Sequence, residues 1–261
     1  MFRNMLNWDR SPKAPHGPKG TRLYVIGDVH GRYDLLRGMA ERIGEDLRGW
    51  QGETLTVLLG DLIDRGPQSR EVLDSLVRSA FPTPFVALMG NHEAALLHAL
   101  ESDKAFDLWL AMGGDETLAS YLRSGPRPAT ADRSLLTRTL PEEHLAFIEA
   151  MPLTFTAGDF FFCHAGIRPG VPIDRQAALD LLWIREPFLS STRNHGKVIV
   201  HGHTPVAAPM LLPNRIALDT GAFATGLLTC MAIEDARIRL LSQSDEAGDA
   251  AAGEISAEAP P

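Results

Sequence analysis

Apolar residues along this chain fall into short runs that alternate with stretches of helical spacing. Leu23–Gly27 reads LYVIG and Thr54–Gly60 reads TLTVLLG, lengths suited to buried strands that each close on a glycine. Between them Leu35, Leu36, Met39, Ala40 and Ile43 recur at helical intervals up to Gly44, which predicts a helix with one face against a core. The alternation continues with helical spacing over Ser69–Val77 and a third strand over Phe85–Met89. This β-α-β-α-β order, repeating at about 30 residues, is that of right-handed crossover units.

From His92 to Met151 the spacing is helical, broken at Gly113-Gly114 and Gly125-Pro126. Strands are expected again at Leu153–Thr156, Phe160–Cys163, Lys197–Val200, Arg215–Leu218, Leu227–Ile233 and Arg237–Leu241. No internal repeat or long Pro/Gly linker divides this body, which predicts one α/β domain over residues 23–243. Residues 1–22, with Pro12, Pro15 and Pro18 close together, read as an N-terminal arm. Residues 244–261, rich in Ala, Glu, Gly, Ser and Pro, read as a disordered acidic tail.

Composition narrows the class. Hydrophobic residues at 44% and charged residues at 22% describe an ordinary globular chain of 261 residues. No apolar run approaches the roughly 18–20 residues of a membrane helix, and the first residues lack the apolar stretch of a signal peptide. Two cysteines, Cys163 and Cys230, are too few for a disulfide framework. A cytoplasmic monomer with no membrane partner is therefore the expectation. The net charge of -8 argues against nucleic acid as a partner. It would suit a protein that holds divalent cations.

Five strand ends each carry Asp, Asn or His beside a glycine. They read Gly27-Asp28-Val29-His30-Gly31, Gly60-Asp61-Leu62-Ile63-Asp64-Arg65-Gly66, Gly90-Asn91-His92-Glu93, His164-Ala165-Gly166 and His201-Gly202-His203-Thr204. In a mostly parallel sheet the carboxyl ends of strands face a common crevice. Taken alone, a Gly-Asp after a strand is usually a turn. Five in order exceed what turn chemistry explains. Carboxylate, amide and imidazole donors without a thiolate motif suit Mn²⁺, Fe²⁺ or Zn²⁺. Six or seven such ligands suit two ions sharing a carboxylate rather than one tetrahedral ion.

The string GDVHG…GDLIDRG…GNHE…HAG…HGHTP resembles the metallophosphoesterase superfamily. Within it the chain is most similar to the phosphoprotein phosphatase family, on the side of the bacteriophage lambda and bacterial serine/threonine phosphatases. Trp109-Leu110…Gly113-Gly114, Leu182-Trp183-Ile184-Arg185-Glu186 and Leu218-Asp219-Thr220-Gly221-Ala222 extend the likeness across residues 23–233. The resemblance implies a calcineurin-like fold, a central β-sandwich flanked by helices with a small helical cap. It implies two divalent ions, Mn²⁺ first among Mn²⁺, Fe²⁺ and Zn²⁺. Asp28 and His30 would hold one ion, Asp61 would bridge both, and Asn91, His164 and His203 would hold the other. Arg65 and Arg185 would grip phosphate oxygens, and His92, oriented by Asp64, would be the general acid. The implied reaction is direct hydrolysis of a phosphoprotein or small phosphomonoester by a hydroxide between the ions.

Asp64 before Arg65, Glu93 closing the third motif and Pro205 after His203-Thr204 favour this branch over a symmetrical diadenosine tetraphosphatase. A non-catalytic phosphate-binding module would be expected to have gaps among these positions, and there are none. A nuclease would want a basic groove. Cys163 reads as a structural thiol, and His201 as a non-ligand that could still be a donor behind the site. His16, His98, His144 and His195 lie outside every motif and are expected on the surface or on helix faces.

Overall fold

The protein is described by a computed structural model covering residues 14–122 and 132–245. The expected break at Gly125-Pro126, the first part of the arm and nearly all of the tail lie outside those residues. The chain forms two five-stranded mixed sheets. The first contains β1 (Thr21–Ile26), β2 (Glu53–Leu58), β3 (Phe85–Ala87), β9 (Leu227–Glu234) and β10 (Arg237–Ser244), in the order β10-β9-β1-β2-β3. The second contains β4 (Thr154–Ala157), β5 (Phe160–Cys163), β6 (Val198–His201), β7 (Met210–Leu211) and β8 (Arg215–Ala217), in the order β4-β5-β6-β8-β7. β1, β2 and β3 run parallel, as do β5, β6 and β8.

Alternation along each strand decides what each face meets. Leu23 and Val25 of β1, with Val57 of β2, pack against Phe160 and Phe162 of β5 and Val198 and Val200 of β6 to fill the space between the sheets. Tyr24 and Ile26 point the other way, to α1 (Tyr33–Asp46), α2 (Ser69–Val77) and the helices that follow. On the far face of the second sheet, Phe161, Cys163 and Ile199 meet Phe188 and Leu181. The fold is thus the β-sandwich flanked by helices that the family resemblance implies. The early crossover units supply β1, β2 and β3 of the first sheet, and most of the later strands form the second.

The helical middle divides into α3 (Asn91–Ala99), α4 (Asp103–Trp109), α5 (Asp115–Tyr121), α6 (Arg133–Thr139) and α7 (Glu142–Glu149). A five-residue π-helical turn, Leu110–Gly114, joins α4 to α5, with Gly113 at φ 108°. α1 continues past Gly44 to Asp46, since a single glycine weakens a helix without ending it. The pattern also misses α8 (Ala178–Trp183), β7 and α9 (Ala222–Thr225), which are too short to show a period.

Strand pairing reaches past residues 23–243 at both ends. Thr21 and Arg22 already pair in β1. Ahead of them the Gly17 N–H donates to the Asp235 carbonyl, and the Asp159 N–H to the His16 carbonyl. Ser244 pairs with Leu227 at the end of β10. Among the described residues no helix is long and apolar enough to cross a membrane.

Candidate active site

The five strand ends meet at one edge of the sandwich. The His203 N–H donates to Asp28 Oδ2 (2.9 Å), His164 Nδ1 lies 2.9 Å from the Leu59 carbonyl, and the Gly202 N–H donates to the His164 carbonyl. Five side-chain-bearing residues here take left-handed backbone: His30 (φ 45°), Asp61 (49°), Asp64 (71°), Arg65 (68°) and His203 (64°). Such residues cost about 1–3 kcal/mol each and persist only where their surroundings over-determine them.

Glu93 provides much of that constraint. Its fully buried carboxylate accepts N–H groups from Asp61 (2.9 Å), Leu62 (2.7 Å), Ile63 (3.3 Å) and Gly90 (2.9 Å). It therefore holds the loop after β2 and caps α3 at once. Burial and the neighbouring Asp61 push its pKa up to about 7, against the pull of His164, His92 and the N–H donors. Two glycines leave room for the carboxylates. A Cβ at Gly202 would collide with Asp28 Oδ1, and one at Gly90 with Asp61 Oδ1.

Around Asp61 the imidazoles are aimed by their outer nitrogens. His30 Nδ1 faces the Ile63 carbonyl (3.0 Å), leaving Nε2 3.5 Å from Asp61 Oδ2. His164 Nε2 lies 3.3 Å from Asp61 Oδ1 and 2.9 Å from Asn91 Oδ1, and His203 Nδ1 lies 2.8 Å from the same Asn91 oxygen. His30, Asp61 and His92 form one group with metal-ligand spacing; Asp61, His164 and His203 form a second. Asp61 belongs to both.

The donor set fits divalent cations. Asp28 Oδ1 is buried without a hydrogen-bond partner. Asp28, Asp61, Asp64, Glu93 and Asp219 are all buried carboxyl groups, a concentration of acid that bound cations would favour in its charged form. Although burial opposes it, the pKa of His164 is raised to about 10, chiefly by Asp61, so the site draws positive charge. Burial and His164 lower His203 to about 3, and burial, helped by His92 and Arg65, lowers His30 to about 3. Both rings are neutral at pH 7, the form that ligates a metal.

His92 differs from the other rings. It is fully buried at the start of α3, with Nδ1 2.7 Å from Asp64 Oδ2 and Nε2 without a partner, 3.9 Å from Asp61 Oδ2. Burial alone would lower its pKa, but Asp61 and Asp64 raise it. Asp64 is held by Thr117 Oγ1 (2.7 Å) and Trp109 Nε1 (3.0 Å), both donating. Its N–H donates to Ser69 Oγ and Thr117 Oγ1. The helical middle thus reaches into the site through Trp109 and Thr117.

Arg65 Nη1 lies 2.9 Å from His30 Nε2, and its guanidinium stacks 4.9 Å from the Phe223 ring. Arg185 is exposed on the His203 side, close enough for its charge to help lower the His203 pKa. Trp183 stands beside it, 6.2 Å from the His203 ring. All ten residues singled out from the sequence therefore lie in or around one site.

Sequence reasoning assigned no role to Thr117, Ser69, Asp219 or Phe223, and used Glu93 only to tell families apart. Asp219 stood in the Leu218–Ala222 motif, but nothing near Thr117 marks it. His201 is fully buried and points away from Asp61, with Nδ1 3.1 Å from the Gly202 carbonyl and Nε2 3.4 Å from Arg215. His144, expected on the surface or on a helix face, lies on the inner face of α7, fully buried against Tyr121. His98 is exposed, while His16 and His195 are half-buried. Cys163 is a buried free thiol whose pKa burial pushes up, so it is no thiolate nucleophile.

A family model described as calcineurin-like phosphoesterase matches residues 21–225. Serine/threonine-protein phosphatase 2 of Salmonella typhimurium is 28% identical over 222 residues, covering 81% of this chain and 93% of that protein. The asymmetrical bis(5'-nucleosyl)-tetraphosphatase PrpE of Anoxybacillus flavithermus is 26% identical over 234 residues, 79% of this chain and 88% of that one. Among solved structures, one described as a putative diadenosine tetraphosphatase superposes with a TM-score of 0.63 at 19% identity, over 88% of this chain and 100% of that one. That last likeness is one of fold.

Proposed function

Because the chain belongs to the calcineurin-like phosphoesterase family, we propose that it is a metal-dependent phosphomonoesterase acting on phosphoserine and phosphothreonine side chains and on small phosphomonoesters. The observation that carries this reading is the buried Asp64–His92 pair beside Asp61, with His92 Nε2 unpartnered. An imidazole with a carboxylate on one nitrogen and nothing on the other is built to give a proton to a leaving alcohol.

In this reading Asp28 and His30 hold one divalent ion, Asp61 both, and Asn91, His164 and His203 the other. Such ions, when bound, neutralise phosphate charge and lower the pKa of a water placed for in-line attack. Oxygen and nitrogen donors suit Mn²⁺, with Fe²⁺ and Zn²⁺ also accommodated. Arg65 and Arg185 bind the phosphate oxygens through planar, permanently charged guanidinium groups. His92 donates from Nε2 to the departing oxygen, while Asp64 keeps the Nδ1 hydrogen in place.

A second reading is hydrolysis of a dinucleoside tetraphosphate. The specific observation favouring it is the pair of partly exposed aromatics, Trp183 by His203 and Phe223 by His30, which offer stacking faces on both sides of the cluster. A relative bearing that activity in its name adds to it.

One experiment separates the readings. Protein stripped of metal and returned to Mn²⁺ is given a phosphothreonine peptide and diadenosine tetraphosphate together. Mn²⁺-dependent release of peptide phosphate with the dinucleotide intact is the expected result. Prior conversion of the dinucleotide to ADP, or to ATP and AMP, would move the second reading ahead. Neither substrate reacting while Mn²⁺ binds would leave a phosphate-binding module and overturn both.

A further inference from the structure

A group of metal-ligating side chains lies away from the strand ends, between α2 and α7. Asp74 on α2 and Glu143 and His144 on α7 place one ligand atom each within 4.8 Å of one another. His144 is fully buried, yet its Nε2 makes no hydrogen bond; the facing oxygen is Asp74 Oδ1 at 3.4 Å. Its other nitrogen, Nδ1, lies 2.6 Å from the Tyr121 hydroxyl.

We propose that His144 Nε2, Asp74 and Glu143 form a separate site for a transition-metal ion of the Zn²⁺ type. Three nitrogen and oxygen ligands with an open fourth position are a familiar zinc arrangement. Ligand atoms about 2.0–2.1 Å from a tetrahedral ion stand roughly 3.3–3.4 Å apart, the separation already present between His144 Nε2 and Asp74 Oδ1. Nδ1 then carries the ring hydrogen and donates it to the Tyr121 oxygen, the outer hydrogen bond that fixes the tautomer of a metal-bound histidine. Burial lowers the imidazole pKa against the pull of Asp74 and Glu143. Glu143 is exposed and Asp74 half-buried, so the group reaches the surface on its carboxylate side.

Two guanidinium groups also face Asp74, Arg78 at 3.3 Å and Arg70 at 3.7 Å. The ion competes with both, so the site is an exchangeable one rather than a closed structural centre. Its position gives it a route to the strand-end cluster. Tyr121 lies one turn beyond Thr117 on α5, and Thr117 holds Asp64. An ion that fixes His144 therefore braces, through Tyr121, the helix that orients Asp64.

The test is a count of Zn²⁺ bound per full-length chain by equilibrium dialysis at fixed free Zn²⁺. Wild type is expected to hold one ion more than Glu143→Gln and one more than Asp74→Asn. Glu143 is exposed, so its substitution leaves the fold intact, and Mn²⁺-dependent turnover of Glu143→Gln is expected to match wild type. A zinc-edge anomalous map should show density beside His144 Nε2. Equal Zn²⁺ counts in wild type and both variants, or a map without that peak, would overturn the site.

Discussion

Asp64 Oδ2 and His92 Nδ1 lie 2.7 Å apart, and neither side chain is accessible to solvent. Asp64 comes from the loop after β2 and His92 from the first turn of α3, and Thr117 and Trp109 of the helical middle close the pair by donating to Asp64. A polar pair sealed in this way keeps its geometry, and each partner sets the protonation of the other.

Removing that carboxylate charge should appear in the pH profile. Asp61 and Asp64 together outweigh burial and hold the pKa of His92 above its ordinary value. A general acid works only while protonated, so the alkaline limb of kcat should fall as pH rises through that raised value. In Asp64→Asn the limb should move to lower pH. His92→Asn should lower kcat by about 10²–10⁴-fold while Mn²⁺ binding and KM change little. Unchanged turnover in His92→Asn would remove it from the reaction.

Asp61 is shared by both metal-ligand groups. Asp61→Asn should lose bound Mn²⁺ and turnover together, read by elemental analysis and by peptide dephosphorylation. Full metal content with full activity would exclude a bridging role.

Glu93 predicts a stability effect. Its carboxylate accepts four backbone N–H groups. Glu93→Gln keeps the shape but turns an NH₂ group toward part of that set. An unsatisfied buried polar group costs about 1–3 kcal/mol, so urea unfolding should show a loss of that order. Activity should fall with it, since the same loop carries Asp61 and Asp64.

At Gly202 the expected effect is steric. A methyl group there would overlap Asp28 Oδ1. Gly202→Ala should keep its overall fold, by circular dichroism, and lose Mn²⁺ affinity by about 10–100-fold, the scale seen when support behind metal ligands is disturbed.

His201 gives a prediction at acid pH. Burial, assisted by Arg215, holds its pKa near 3 against an ordinary value of 6.5. The unfolded chain therefore binds a proton that the folded chain refuses, so stability falls as pH drops from 6.5 toward 3. His201→Gln should flatten that slope in thermal melts at matched metal content. An identical slope would mean the ring takes up its proton at the same pH in the folded and unfolded chain.

Much of this protein was legible along the chain. Runs such as LYVIG and TLTVLLG marked β1 and β2 because a strand buried on both faces needs continuous apolar residues. Ligand residues beside glycines stood out at the same strand ends because tight turns and donor groups are both local features. Short elements escaped: a two-residue strand such as β7 has no period to read. The strand expected at Arg237–Leu241 runs on to Ser244, because the last residues of a half-buried edge strand are polar and extend no apolar run.

The sequence by itself determined the order of strands and helices and the residue types at each strand end, since both follow from short-range pattern and backbone chemistry. Only the tertiary structure decided which strand joins which sheet and in what order, that Glu93 gathers four N–H groups, and that Thr117 reaches Asp64. It also decided that His144 is sealed against Tyr121 while His201 turns toward Arg215. Each of these joins elements far apart along the chain, and which polar groups lose water together depends on how whole layers pack.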